Sequence, residues 1–239
     1  MGAAYAEALA EEGYRLVLIS PSGSARKLAE HLGGVGMDEP VTDADNLKTP
    51  VDLTMTTYGR IDGLVLNTGI TPRTLGMHDT VKGPRATFNP ANDFDPTSIS
   101  DEEWLFGFDM MFLTVVRLLR LTIPIFRAQG SGAVVTISTS STPEPRLTYP
   151  IQSALRGALP GLLKMSADRF AGDGIRFNNV LPGFIANCKQ PDDVIASIPS
   201  GRQDEVAEVA KVVRFLLSDE ASYVTGQSLL VDGGLNRAV

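Results

Sequence analysis

The chain has 239 residues, with one cysteine, two histidines and a net charge of −7. That length suits one large domain whose core needs no disulfide or structural metal, and a single thiol, Cys188, with two histidines leaves neither an internal disulfide nor a zinc-ligand pattern. Hydrophobic residues at 43% and charged residues at 21% exclude a disordered chain, and the acidic balance excludes non-specific nucleic-acid binding, which needs a basic face.

Residues 3–12 read as a helix with Tyr5, Ala8 and Leu9 on one face and Gly13 as its stop. Residues 14–19 (YRLVLI) read as a buried strand, 24–32 as a helix ending at Gly33-Gly34, 45–58 as a helix containing Pro50, and 61–66 (IDGLVL) as a second strand. Short apolar runs alternating with helical patterns predict a parallel sheet covered on both faces. Residues 71–99 break this rhythm with Pro72, Gly76, Gly83, Pro84, Pro90 and Pro96, and read as a loop insert. Ser100 and Glu103 then have capping-box spacing. Trp104, Phe108, Met111, Phe112, Val115 and Leu119 follow at helical intervals, as a core or subunit contact would.

The most apolar stretch, 110–126, carries Arg117, Arg120 and Pro124, so it does not read as a membrane span, and the first residues do not read as a secretory signal. A cytoplasmic protein is expected. Residues 132–138 read as a strand, 151–171 as one long helix kinked at Pro160, 175–181 as a strand, 205–218 as a helix and 228–231 as the last strand. A single domain over 1–239 is expected.

Three stretches carry more specific spelling: Ile61-Asp62-Gly63-Leu64-Val65-Leu66-Asn67-Thr68-Gly69, then Asn178-Asn179-Val180-Leu181-Pro182-Gly183, then Thr225-Gly226-Gln227 with Val231-Asp232-Gly233-Gly234. In this order they resemble the short-chain dehydrogenase/reductases over nearly the whole chain. The resemblance implies an α/β, Rossmann-like three-layer sandwich with a mostly parallel sheet, an NADP or NAD cofactor, a small-molecule substrate, and a homodimer or homotetramer. Asn67, Gly69, Pro182 and Gly183 fall at strand ends, where ligands of open α/β sheets lie and where glycine lets a ligand approach the backbone.

The chain also departs from the family. Met1-Gly2 resembles only the tail of the family's Gly-rich turn, so Gly2 is the one residue of that turn carried over and the first strand is absent. In the family that strand lies between the equivalents of 14–19 and 61–66. The expectation is therefore a truncated chain, or a sheet that lacks its central strand and binds cofactor poorly. The second strand ends in Ser20-Pro21-Ser22-Gly23 without an acid, and Arg26 and Lys27 follow, which leans to NADP over NAD. Members often place an Asp near the adenine; by spacing Val41-Thr42 falls nearer to that place, and Asp43 takes it only if the loop shifts.

Members use a Tyr as acid or base with a Lys four residues on, because a phenol needs a nearby positive charge to ionise near neutral pH. Two registers fit. In the first, preferred because Gly157-Ala158-Leu159 keeps the family's spelling, Arg156 takes the Lys place and Gln152 the Tyr place; in the second, Tyr149 is the Tyr and Ser153 replaces the Lys. Tyr149, Gln152 and Arg156 can share one helix face. Thr139 takes the substrate-orienting Ser position, and Met111 stands where the family has an Asn. These assignments suit an NAD(P)-dependent oxidoreductase of a small carbonyl or alcohol, with Thr139 anchoring the oxygen, Tyr149 giving the proton and Arg156 the charge. The alternative is a catalytically degenerate member serving as a binding or oligomer-partner protein.

Overall fold

A computed structural model describes residues 1–69, 95–147 and 149–237. Most of the expected insert at 71–99 lies outside the described residues; Pro96–Ser98, at its end, forms a 3-10 turn leading to Ser100. Among the described residues the paired strands run parallel within each of two separate sheets. β1 (Val17–Ile19) pairs with β2 (Val35–Met37), and β3 (Gly63–Leu66), β4 (Gly132–Ile137), β5 (Ile175–Pro182) and β6 (Gln227–Val231) pair in that order. Among the described residues β1 and β3 belong to different sheets.

Helices cover both faces. On one side α1 (Gly2–Glu11) packs on α9 (Val206–Leu217), and Tyr5, Leu9, Val209 and Val213 meet Ala133, Val135 and Ile137 of β4. On the other, α3 (Ala44–Tyr58), α5 (Thr114–Gln129) and α7 (Leu159–Phe170) bring Leu47, Val115 and Leu163 against Val134, Ile175 and Phe177. The alternation along β4 follows from the two-residue repeat of a strand, which sends successive side chains to opposite faces. The Rossmann-like, three-layer arrangement is therefore present, with its sheet split.

β2 is an element that sequence reading misses, because its three residues Val35-Gly36-Met37 follow Gly33-Gly34 and read as loop. Its Gly36 is required by packing: a Cβ there would lie 2.4 Å from the Ala25 carbonyl oxygen in the backbone of α2 (Ala25–His31). The expected single helix over 151–171 is two helices, α6 (Pro150–Arg156) and α7. Pro160 has no N–H to give the Arg156 carbonyl, so the chain breaks at Gly157-Ala158 and restarts with proline in the first turn. Pro50, by contrast, sits within a continuous α3, whose N-cap Asp43 accepts from the Asp45 and Asn46 amides. The Ser100–Glu103 capping box forms as expected and starts α4 (Asp101–Phe108). A π-helical stretch, Asp109–Leu113, separates α4 from α5. A short helix, α8 (Asp192–Ala196), completes the set among the described residues.

Candidate active site and cofactor cleft

The predicted residues gather at the carboxyl edge of the sheets. Asn67, Thr68 and Gly69 leave β3, Thr139 leaves β4, Pro182 ends β5, and Ser20 leaves β1. α1 begins beside them, since a Cβ on Gly2 would lie 3.2 Å from Asn67 Nδ2. Gly2, Ser20, Val41, Asn67 and Gly69 all line one cavity of about 1040 Å³. Val41 is buried, and its carbonyl accepts from the Thr114 hydroxyl at 3.0 Å, while Arg117 donates to the Thr42 carbonyl at 2.8 Å. The start of α3 is thereby pinned to α5 on the cavity's rim. After Ser20, the hydroxyls of Ser20, Ser22 and Ser24 form a chain with oxygen separations of 2.9 and 2.7 Å. Arg26 lies 3.6 Å from Asp38, and both Arg26 and Lys27 are exposed.

The second half of the site forms where β4 and β5 end. The Ser140 amide donates to the Pro182 carbonyl and the Gly183 amide to the Val231 carbonyl, each at 2.8 Å. Gly183 runs so close to β6's continuation that a Cβ would lie 2.8 Å from Asp232 Cα. Thr139 Oγ1 lies 3.1 Å from Ser141 Oγ and accepts from the Ser141 amide at 3.3 Å, which holds its hydroxyl in the turn after β4. Met111, in the π-helical stretch, is wholly buried.

Tyr149, Gln152 and Arg156 do not act as one helical face. Tyr149 caps α6 with extended-side torsions (φ −137°, ψ 58°), because Pro150 opens the helix after it. Burial pushes the Tyr149 phenol above its ordinary value, the Cys188 sulfur adds to the rise, and the Arg146 guanidinium opposes it. Arg146 itself stacks over the Phe184 ring at 5.2 Å. Sequence reading overlooked both residues, although Phe184 follows Pro182-Gly183 directly. Gln152 is half-buried in α6.

Arg156 is almost completely buried, and its guanidinium donates to the Ile137 carbonyl and, at 2.5 Å, to the Thr68 carbonyl. It ties the carboxyl ends of β4 and β3 together beneath Gly69, where a Cβ would lie 3.1 Å from Nη2. Burial pulls its pKa down to about 10, with the Tyr5 phenol the opposing influence. Among the described residues its Nε has no hydrogen-bond partner, and neither does the buried Tyr5 hydroxyl on α1.

A profile of the family described as enoyl-(acyl carrier protein) reductase, a short-chain dehydrogenase/reductase group, matches residues 1–236. The chain is a short-chain dehydrogenase/reductase. It is 32% identical over 202 residues to the 3-oxoacyl-[acyl-carrier-protein] reductase FabG of Thermotoga maritima, covering 82% of this chain and 74% of that one. It is 31% identical to the FabG of Haemophilus influenzae across 98% of this chain and 93% of that one. In structure it is similar to the TT0495 protein of Thermus thermophilus, with a TM-score of 0.78, 28% identity, and coverage of 97% and 92%. Within this short-chain dehydrogenase/reductase, Gly2, Ser20, Val41, Asn67 and Gly69 line the carboxyl-edge cavity, while Tyr149 stands with Arg146 and Cys188. No helix among the described residues is long and apolar enough to cross a membrane.

Proposed function

We propose that the protein is an NAD(P)-dependent oxidoreductase acting on a small carbonyl or alcohol. The observation that carries this reading is the single cavity into which Gly2, Ser20, Val41, Asn67 and Gly69 converge from four separate segments. It fits a dinucleotide: bare backbone at Gly2 and Gly69 permits close approach, and the open amides at the start of the ten-residue α1 favour a pyrophosphate. Ser20, the hydroxyl chain behind it and Arg26 suit a ribose phosphate, which supports NADP over NAD. Pro182 and Gly183 would border the nicotinamide end. The bound nicotinamide would supply the hydride chemistry.

The chain's own residues orient the substrate and move a proton. Thr139 Oγ1 holds the substrate oxygen. Tyr149, a phenol protonated at neutral pH, donates to that oxygen during carbonyl reduction and would take the proton back in the reverse reaction. Gln152 and Arg156 shape the floor. The FabG relatives are named for 3-oxoacyl groups, which makes a 3-oxoacyl thioester the first substrate to try. We place the enzyme in the cytoplasm as a homodimer or homotetramer. Its contact would use the exposed Leu105, Phe106 and Phe108 of α4, whereas Met111, expected in that contact, lies inside the core.

The test is fluorescence titration with NADPH and NADH, followed by NADPH-dependent reduction of a 3-oxoacyl thioester by the wild type and by Tyr149→Phe. NADPH should bind the tighter of the two, and the phenol-less variant should lose about 100-fold or more in kcat. Absence of binding of either cofactor at millimolar concentration, or full activity in Tyr149→Phe, would overturn the reading.

A further inference from the structure

Cys188 is a free, exposed thiol on a turn that its neighbours hold in place. Its amide donates to the Ile185 carbonyl at 3.0 Å. Its carbonyl accepts twice, from Gln190 Nε2 at 2.9 Å and from Gln203 Nε2 at 3.0 Å. The Gln203 carboxamide also donates to the Ile185 carbonyl at 3.0 Å and accepts from the Gln190 amide at 3.1 Å. At the base of the turn, the Asp204 amide donates to the Phe184 carbonyl and the Ala186 amide to the Asp204 carbonyl, each at 2.9 Å. Residues 186–189 are all exposed, so the sulfur is reachable and its backbone is fixed.

Gln190 decides what the sulfur can carry. Its side chain is 4% exposed, and its Nε2 stands 3.7 Å from Cys188 Sγ. The bond from Nε2 to the Cys188 carbonyl fixes which way the carboxamide is turned. Its Oε1 is buried and has no hydrogen-bond partner among the described residues. Oxygen and nitrogen of a carboxamide are about 2.2 Å apart, so Oε1 lies within about 6 Å of the sulfur. A buried acceptor without a donor is costly, and this one lacks only an N–H. Beyond the thiol, the Tyr149 phenol stands with Cys188 and Arg146, and the Arg146 guanidinium stacks over the Phe184 ring at 5.2 Å.

We propose that Cys188 is a modification site for cysteinyl peptides, taken up by thiol–disulfide exchange, with the peptide's amide N–H donated to Gln190 Oε1 and the adduct standing against Tyr149. In such an adduct the peptide's own amide nitrogen lies three bonds beyond the second sulfur, about 4–6 Å from Cys188 Sγ, which matches the reach to Oε1. The Cys188 thiolate attacks one sulfur of a peptide disulfide, a new S–S bond forms and the old one breaks. The second peptide leaves as a thiolate and takes the proton that Cys188 gave up, so the peptide disulfide is the oxidant and no hydride is spent. Blocking of catalysis by the adduct rests on the reductase reading above; formation of the adduct does not.

The probes are oxidised glutathione and, as a disulfide with no N–H, dithiodipropionate. Each is equilibrated with its thiol against the full chain, folded or in urea, and the adduct is read by intact mass. Folding should raise the exchange constant for glutathione by about fivefold more than that for dithiodipropionate, the effect of one added hydrogen bond. Gln190→Leu should erase that preference, and Cys188→Ser should take up neither probe. In protein carrying isotope-labelled tyrosine, the NMR resonance of Tyr149, assigned with Tyr149→Phe, should move when the glutathione adduct forms. NADPH-dependent reduction should fall by about tenfold or more and return with dithiothreitol. Equal effects of folding on the two probes, a comparison that needs no variant, overturn the proposal, and so does an unmoved Tyr149 resonance in the adduct. An unmodified protein that reduces nothing counts against the reductase reading alone, because mass and resonance still report the adduct.

Discussion

Two alanine substitutions, chemically identical, should move stability in opposite directions, and the packing around each glycine says why. At Gly36 on β2 a new Cβ would lie 2.4 Å from Ala25 O, 2.5 Å from Arg26 Cα and 2.6 Å from Ala25 C, all backbone atoms of α2. None of these can rotate aside, so α2 and β2 must separate by roughly 1 Å, an overpacking defect of about 2–3 kcal/mol. At Gly161, in the first turn of α7, nothing lies within 4 Å of the position a Cβ would take. There alanine removes only the conformational freedom of the unfolded chain and should stabilise by about 0.5–1 kcal/mol.

Urea denaturation of Gly36→Ala and Gly161→Ala reads both effects. For a chain of this size the corresponding shifts in melting temperature are a fall of about 5–10 °C and a rise of about 1–4 °C. A second readout links the first variant to function. The Ser20 amide donates to the Met37 carbonyl at 3.0 Å, so moving β2 moves the Ser20 end of the cofactor cavity. Gly36→Ala should therefore also weaken NADPH binding, and Gly161→Ala should not. If Gly36→Ala unfolds within about 0.5 kcal/mol of the wild type, the close α2–β2 contact is not what holds that end of the site.

Tyr5→Phe removes a buried hydroxyl that has no hydrogen-bond partner among the described residues and should raise stability by about 1 kcal/mol, seen as a melting temperature higher by about 2–4 °C. Asp204, pushed up to about 6 by burial and by Glu208 beside it, holds its proton more tightly when folded than when unfolded, so stability should fall as pH rises from about 4 to 6. Asp204→Asn should flatten that segment of a plot of melting temperature against pH, and an unchanged slope would assign the dependence elsewhere. Arg146→Ala removes the cation that opposes the rise of the Tyr149 phenol, so the alkaline limb of carbonyl reduction should move to higher pH; Arg156→Met, which lies by a different phenol, should leave that limb in place.

Much of the fold was readable because it rests on short-range periodicity. YRLVLI and IDGLVL are apolar runs bounded by turns, and strands follow within each; the Ser100–Glu103 pair starts a helix where capping chemistry puts one. β2 was not readable, since its middle residue is a glycine selected by the proximity of α2, a contact between segments that local sequence does not encode. The break between α6 and α7 was half readable. Pro160 announced a disturbance, but whether a helix bends or restarts depends on where its neighbours hold the two halves. At the site, the strand-end positions Asn67, Gly69, Pro182 and Gly183 were readable from spelling. The partners of side chains were not, because Arg146 reaches Phe184 across a loop junction.

Arg156 shows what separates position from role. Its place in the chain sets it seven residues after Tyr149, near enough to serve a phenolate if both stood on one helix. Pro150 opens α6 after Tyr149, which leaves the phenol outside the helix in company with Arg146 and Cys188. The guanidinium, a rigid planar fork, is instead matched to two carbonyls that end adjacent strands. A lysine there could reach only a point in space, whereas the fork spans β3 and β4, and β3 is the edge strand of its sheet among the described residues. Arg156 therefore braces the carboxyl ends of β3 and β4. In the proposed reaction the proton donor is Tyr149, whose neighbouring cation is Arg146 rather than Arg156.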